Sequence, residues 1–310
     1  MCARGGQAVG RPVAVVAGAT RGTGRGIALA LGEAGATVYC TGRSVRGRAA
    51  PPASDARARP ENAFVLSTRP ETIDETAEFV TARGGLGIAV QVDHTDEGQV
   101  QALFERVARE RDGLLDILVN DIWGGDELSQ WGTPFWELDL DRGFRMLDRA
   151  VRAHITTSRH GGPLLVRRGR GLIVEVTDGT GYDYRGTLFY SLCKISAVHL
   201  AEAMAADLRG LGTDHAVTAL ALTPGFLRSE AMLDHFGVTE ERWREAVTAD
   251  PKWAFSETPL YAGRALVALA ADPGVRTKAG RALSTWELAD EYGFTDADGT
   301  RPHWGRQERN

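Results

Sequence analysis

The sequence predicts a single α/β domain: a doubly wound, parallel, seven-stranded sheet with helices on both faces. Three observations lead there. Short β-branched runs alternate with longer helical patterns, many of those runs are apolar at successive residues, and a glycine-rich turn follows the first of them. Strand–helix alternation of this length builds right-handed βαβ units on a parallel sheet. Strands apolar on both faces are those covered by helices above and below.

In order, strands are expected over Val13–Ala17, Thr37–Thr41, Gly87–Gln91, Asp116–Asn120, Leu172–Thr177, Ala216–Thr223 and Arg281–Thr285. Helical patterns run over Gly22–Ala34, Thr72–Ala82, Glu97–Arg111, Glu137–Leu165, Phe189–Leu211 and Pro259–Ala271. The domain spans residues 12–295, with no internal repeat. Residues 44–71, rich in Arg, Ala and Pro, read as a loop insertion after the second strand. Residues 226–256 hold a helical pattern, Glu240–Ala249, between Pro224-Gly225 and Pro251, and come before the last helix and strand. Connections at strand ends often carry ligand-covering elements, so this segment is either a lid over a substrate or a packed surface helix. The arm 1–11 and the tail 296–310 are polar, and chain ends of that kind are expected to be poorly ordered.

Composition narrows the function. Across 310 residues, 43% are apolar and 25% charged, an ordinary balance for a soluble globular protein. No apolar run is long enough to span a bilayer, and the first residues, MCARGGQAVGR, lack the apolar core of a secretion signal. Cys2, Cys40 and Cys193 are odd in number and scattered, which points to a reducing, cytoplasmic setting and against a metal site or disulfide framework. A net charge of −5 disfavours non-specific nucleic-acid binding, which needs a basic face.

The basic residues carry the sharpest signal. Only three of 36 are lysines, and Lys194 is the only lysine before Lys252; Tyr190 stands four positions ahead of it. Positions i and i+4 share a helix face, so the ammonium can stand near the phenol. A neighbouring cation favours the phenolate and lowers a pKa that is ordinarily near 10. Such a pair is an acid for carbonyl reduction or a base for alcohol oxidation.

The first turn carries Gly18-Ala19-Thr20-Arg21-Gly22-Thr23-Gly24. A GxxxGxG loop between strand and helix lets backbone N–H groups approach a pyrophosphate. The second strand ends in Thr41-Gly42-Arg43-Ser44 with no carboxylate. A carboxylate there would hold the ribose hydroxyl of NAD, whereas arginine accommodates the 2′-phosphate of NADP. Arg21 and Arg43 therefore point to NADP (NADPH), gripped through parallel hydrogen bonds.

With these motifs in order, the chain resembles the short-chain dehydrogenase/reductase (SDR) family over roughly Pro12 to Ser229, and the sheet its Rossmann-type version. The resemblance rests on the glycine loop, Val92-Asp93, Asn120, Tyr190-x-x-x-Lys194 and Pro224-Gly225. It implies that Asp93 contacts the adenine, that Asn120 steadies the fourth strand beside the cofactor, and that Lys194 also holds the nicotinamide ribose. It implies that Pro224, Gly225 and Ser229 line the nicotinamide, and that the chain is a homodimer or homotetramer. That assembly would use the Tyr190 helix, whose apolar face holds Ala197, Leu200, Ala201, Met204 and Leu208, and the long helix before it.

Three departures stand out. The family's Asn-Asn-Ala-Gly is here Asn120-Asp121-Ile122-Trp123. The family's substrate-orienting serine, thirteen residues before the tyrosine, is here Thr177, which keeps a hydroxyl; Asp178 and Thr180 are the other candidates. The family's catalytic asparagine, acting through its backbone carbonyl, maps to Asp148, whose carboxylate would raise the pKa of Lys194.

The expected function is hydride transfer between NADP(H) and a carbonyl or its secondary alcohol, with Tyr190, Lys194, Thr177 and Asp148 at the reacting centre and no metal. Trp123, Trp131, Trp136, Tyr182 and Tyr184 suggest an aromatic-lined pocket, or core and interface packing. Two alternatives stand beside this. One is an NADP(H)-binding regulator that has lost turnover, since a fold does not guarantee its function. The other is a different nucleotide enzyme on the same scaffold, such as a methyltransferase, which Arg21 and Arg43 disfavour.

Overall fold

Seven parallel strands form one sheet in the order β3-β2-β1-β4-β5-β6-β7. They are β1 Val13–Ala17, β2 Thr37–Gly42, β3 Leu86–Gln91, β4 Ile117–Asn120, β5 Arg170–Val176, β6 Ala216–Thr223 and β7 Ala282–Ser284. The computed structural model describes residues 11–47, 64–65, 69–212 and 215–309. The arm 1–11, but for residue 11, and most of the 44–71 insertion lie outside them.

The helices are α1 Gly22–Glu33, α2 Ile73–Ala82, α3 Glu97–Glu110, α4 Leu140–Leu147, α5 Ala153–Arg168, α6 Leu188–Arg209, α7 Glu230–Phe236, α8 Pro259–Ala271 and α9 Thr285–Tyr292. Their starts follow from sequence: Thr72, Asp96, Asp139, Ser229 and Ser284 each cap a helix by accepting a backbone N–H of its first turn.

Alternation along the strands explains the two layers. In β1, Ala14 and Val16 face α1, α2 and α8 through Ile27, Leu31, Val80 and Leu266. Val13 and Val15 face α3 and α5 through Leu103, Phe104 and Leu164 on the other side. Burying both faces makes the strands continuously apolar.

The structure departs from expectation in three places. The long helix expected over Glu137–Leu165 is α4 and α5, joined by a π turn, Asp148–Arg152. Wide turns of this kind often lie at functional sites. Helices α7 and α9 were not foreseen, and Glu240–Thr248 is 3₁₀ rather than α. The tail is folded as well: Asp296 is buried, and Trp304 packs on Phe226 with ring centres 5.5 Å apart. Asp296 anchors this return by accepting from the Thr258 backbone N–H at 2.8 Å and ion-pairing with the buried Arg228 at 3.3 Å. Buried charges are paired in this way because isolation is costly.

Strand order reverses direction between β1 and β4, so their carboxyl ends part and open a crevice. Ligands of open α/β sheets bind at such a point.

Candidate active site

A cleft of about 1520 Å³ lies over those strand ends. It exceeds the roughly 300–1,000 Å³ of drug-sized pockets, which leaves room for a dinucleotide and a substrate together.

The glycine loop forms its floor. Gly18 and Ala19 both donate to the Thr41 carbonyl at 3.0 Å, tying the turn to β2. Gly18 has φ +93°, and a Cβ there would stand 2.2 Å from the Asp121 carbonyl oxygen. Gly24 is equally confined, its Cβ position being 2.4 Å from the Gly18 carbonyl oxygen. Only glycine fits either place. Gly18, Thr20, Arg21, Gly22 and Thr23 line the cleft, while Gly24 lies just behind.

Two protein carboxylates stand at anion-binding groups here. The Gly22 N–H, first of α1, donates to Glu230 Oε2 at 2.8 Å. Arg21 pairs with Glu71 at 3.0 Å, and Glu71 is also gripped by Arg69, which reaches Asp234 of α7. Arg43 lines the cleft; its carbonyl accepts from Gln91 Nε2 at 2.9 Å, while its guanidinium makes no hydrogen bond or ion pair with any described residue. Burial and the charge of Arg149 lower its pKa, against Asp93 and Glu127.

Asp93 lines the cleft and accepts from the Thr95 backbone and hydroxyl, shaping its own turn. Asn120 lies behind the cleft, donating to Glu175 Oε1 at 2.6 Å and Ser158 Oγ at 2.8 Å. Pro224, Gly225 and Ser229 form the opposite wall with Phe226 and Leu227, and Ser229 also caps α7.

At the far end stand Tyr190 and Lys194, one turn apart on α6. The lysine ammonium lies over the Trp123 ring, 3.9 Å from its centre, and 5.4 Å from the Tyr190 ring centre. The Tyr190 hydroxyl donates to Asp178 Oδ2 at 2.9 Å. Burial, the Asp178 charge and this hydrogen bond raise the Tyr190 pKa well above its ordinary value, with Asp126 adding to them and Arg185 opposing. The sequence expectation of a lowered phenol pKa is therefore corrected. A carboxylate holds the phenol's proton while the lysine turns to a tryptophan.

Thr177 lines this end of the cleft. Its hydroxyl donates to the Lys194 carbonyl at 2.7 Å, bracing α6 against the end of β5. Asp178, one residue on, takes the place beside the tyrosine. The Asp148 side chain is exposed, 3.7 Å from Arg152 on the π turn, and outside the cleft, so its carboxylate stands away from Lys194. The turn instead brings Ala150 and Val151 to a small cavity that Lys194 also lines.

Of the aromatic candidates, Trp123 and Trp131 flank Tyr190 with ring centres 5.5 and 5.1 Å away. Trp136, Tyr182 and Tyr184 are exposed and do not line the cleft. Trp286 of α9 and Trp304 of the tail also line the cleft; neither was singled out in the sequence, α9 being unforeseen and the tail expected to be loose.

Beneath the loop after β4 lies a buried polar network that was also missed. Glu175, a carboxylate in the apolar run Gly171–Val176, is its visible trace in the sequence. His154 Nδ1 stands 2.5 Å from Glu175 Oε2, and its Nε2 donates to the Ile122 carbonyl at 3.0 Å. Burial pulls the imidazole pKa down, but the Glu175 charge and hydrogen bond outweigh it, so it lies above the ordinary value. His94, bonded to Thr41 and Thr157, is pushed down to about 3 by burial and the His154 charge. Asp121 is pushed up to about 7 by burial, against the charge of Lys194 and the N–H of Gly24. It thus ties the glycine loop to the lysine. On the opposite wall burial pushes Glu257 up to about 8, and its Oε2 accepts from the Gly225 N–H and the Thr285 hydroxyl.

Comparison with known proteins gives one family. A family model for short chain dehydrogenase matches residues 53–236. The chain is 34% identical over 291 residues to human dehydrogenase/reductase SDR family member 1, covering 93% of this chain and 83% of that protein. It is 30% identical over 157 residues to the 1-deoxy-11-beta-hydroxypentalenate dehydrogenase of Streptomyces exfoliatus, covering 50% and 54%. Among solved structures, a short chain dehydrogenase from Mycobacterium thermoresistibile superposes with a TM-score of 0.71 at 21% identity, covering 95% and 91%.

Proposed function

The chain belongs to the short-chain dehydrogenase/reductase family, and from that membership we propose that it is an NADP(H)-dependent oxidoreductase reducing a carbonyl or oxidising the matching secondary alcohol. The observation that carries this reading is the alignment of three parts in one cleft: the glycine loop on α1, Arg43 just past the end of β2, and the Tyr190–Lys194 pair of α6.

The cofactor supplies a hydride; the chain binds, orients and handles the proton. Gly18 to Gly24 with the N-terminus of α1 would hold the pyrophosphate. Arg43, with Arg21 once it leaves Glu71, would take the 2′-phosphate. Asp93 would meet the adenine, Pro224, Gly225 and Ser229 the nicotinamide, and Lys194 the ribose. Asn120 serves from behind by tying β4 to β5. For a carbonyl substrate, Tyr190 turns from Asp178 and donates its proton to the developing alkoxide. The residues 226–256 act as a lid, since they carry Leu227, Ser229 and Met232 on the cleft wall.

A homodimer or homotetramer is supported by exposed apolar side chains on α4, α5 and α6: Phe144, Ile155, Leu188 and Leu192. The free, buried thiols of Cys40 and Cys193 support a reducing, cytoplasmic setting.

The test is NADPH oxidation over a carbonyl panel, wild type beside Tyr190→Phe. A general acid contributes about 10²–10⁴-fold, so turnover falls by at least about a hundredfold in the variant. Equal turnover in both proteins sinks the role of Tyr190. Nucleotide binding without turnover on any carbonyl supports the second reading, a binding regulator, which the lysine's position over Trp123 favours.

A further inference from the structure

We infer that Trp304 of the C-terminal tail and Trp286 of α9 form the specificity wall of the cleft, and that this wall takes a bulky, uncharged, flat apolar group next to the reacting carbonyl. This rests on the reading of the cleft as a nicotinamide-dependent oxidoreductase and adds the class of substrate it accepts.

The lining of the cleft is divided by polarity. Every charged residue in it comes from the chain before β6. Among these, Asp126, Arg142, Asp178, Asp183, Arg185 and Lys194 accompany Tyr190, with the hydroxyls of Ser129 and Thr180 as further polar groups. From Thr223 onward the lining carries no charge, and its larger side chains are Phe226, Leu227, Met232, Trp286 and Trp304. A charged substituent seated on that side would lose water without gaining a partner. An apolar one gains by leaving water. The division holds however Tyr190 and Lys194 turn when a cofactor binds, because both belong to the polar side.

The uncharged side has two parts. A Cβ on Gly22 would lie 3.9 Å from the Leu227 and Ser229 side chains, so that part covers the glycine loop and belongs to the cofactor. Trp286 and Trp304 make the other. Thr223 pairs with Ser284 at the end of β7, which sets Trp286, two residues on, beside the end of β6. Trp304 rests on Gly225, where a Cβ would stand 2.8 Å from the Trp304 Cβ. Gly305 meets Trp286 as closely, a Cβ there standing 3.0 Å from the indole Nε1. The Gly179 N–H donates to Thr223 Oγ1 at 2.7 Å, which joins this part to the turn holding Asp178, the partner of Tyr190. A substrate with its carbonyl at Tyr190 thus finds the two indoles as its next wall.

The tail is tied down well enough to serve as one. Arg264 donates to the Thr295 and Asp296 carbonyls at 2.6 and 2.8 Å, and the Tyr261 hydroxyl to the Pro302 carbonyl at 3.3 Å. Trp304 itself meets Phe226 edge to face. Both indoles stay half-buried, and indole rings favour flat partners that stack or meet them edge to face.

The experiment compares two methyl ketones, 2-acetonaphthone and 2-butanone, with the full chain and NADPH. Calorimetry separately measures binding of the product alcohol, 1-(2-naphthyl)ethanol, to the NADP⁺-bound protein. Wild type is set beside Trp304→Ala, Trp304→Phe, Trp286→Ala and a chain ending at Pro302, which keeps the anchors at residues 295–302; thermal melts report folding. Wild type is expected to prefer the naphthyl ketone by about tenfold or more in kcat/KM. That preference falls about tenfold in Trp304→Ala, Trp286→Ala and the shortened chain, through the KM of the naphthyl ketone and with a matching loss of alcohol affinity, and falls less in Trp304→Phe, which keeps a ring. A wild type that prefers 2-butanone, or an unchanged preference in folded variants, overturns this inference alone. So does a protein that binds NADP⁺ but not the naphthyl alcohol. Failure to bind NADP⁺ overturns the oxidoreductase reading with it.

Discussion

Glu230→Gln is expected to tighten NADPH binding, contrary to the usual effect of altering a cofactor cleft. In the structure Glu230 Oε2 accepts from the Gly22 N–H at 2.8 Å, while Oε1 is 3.7 Å from Arg25 Nε. A pyrophosphate seated on the glycine loop needs that N–H, so the carboxylate must leave first. A hydrogen bond to a charged acceptor contributes about 1.5–3 kcal/mol. The Glu230 side chain keeps 27% of its surface exposed, and it regains water as it departs. Glutamine also retains one acceptor oxygen. The net relief is therefore about 1 kcal/mol, or roughly fivefold in Kd. Titration of intrinsic fluorescence with NADPH at low and high salt measures it, and the gain shrinks as salt screens the lost charge. Thermal melts report any loss at the α7 N-terminus. An unchanged or weaker affinity in the variant refutes the claim that this carboxylate competes with the cofactor.

Three further outcomes follow from the same geometry. Arg43→Ala loses the charge facing a 2′-phosphate, so the NADPH-to-NADH affinity ratio falls by about tenfold or more; a parallel loss for both nucleotides contradicts the assignment. Glu175→Gln leaves His154 without its counter-charge in a buried site, which costs about 3–5 kcal/mol in urea unfolding; a change below about 1 kcal/mol means the pair is not coupled. His94 sets the acid limb of stability. Its folded pKa of about 3 lies below the unfolded value of about 6.5, so the unfolded chain binds the extra proton between them. Stability is full above about pH 6.5 and is lost as pH falls toward 3. His154 has the opposite sign, its contribution being present below about pH 6.5 and lost as pH rises through its raised folded value. His94→Gln flattens the acid limb, and an unaltered limb shows that other groups set it.

The sheet and cofactor loop were legible because each rests on local patterns. Seven apolar runs gave the strands within a residue or two, and Gly18 and Gly24 stand where a side chain has no room. The reacting end was less so. Sequence spacing singles out Thr177, but β5 ends at Val176 and sends the Thr177 hydroxyl to α6, leaving Asp178 beside Tyr190. Helical periodicity does not reveal a π turn, so Asp148 was counted onto a continuous helix and fell on its exposed side. The tail joins the cleft because Asp296 pairs with Arg228, 68 residues away, a contact no local pattern carries.

Equilibrium titration of the full chain with NADPH and NADH tests the central claim most directly. Saturable binding of both, with NADPH tighter, is the predicted result, since the Gly18–Gly24 loop and Arg43 face one cleft. Binding of neither nucleotide at millimolar concentration would contradict the cofactor assignment and the hydride chemistry built upon it, and tighter binding of NADH would contradict the role of Arg43.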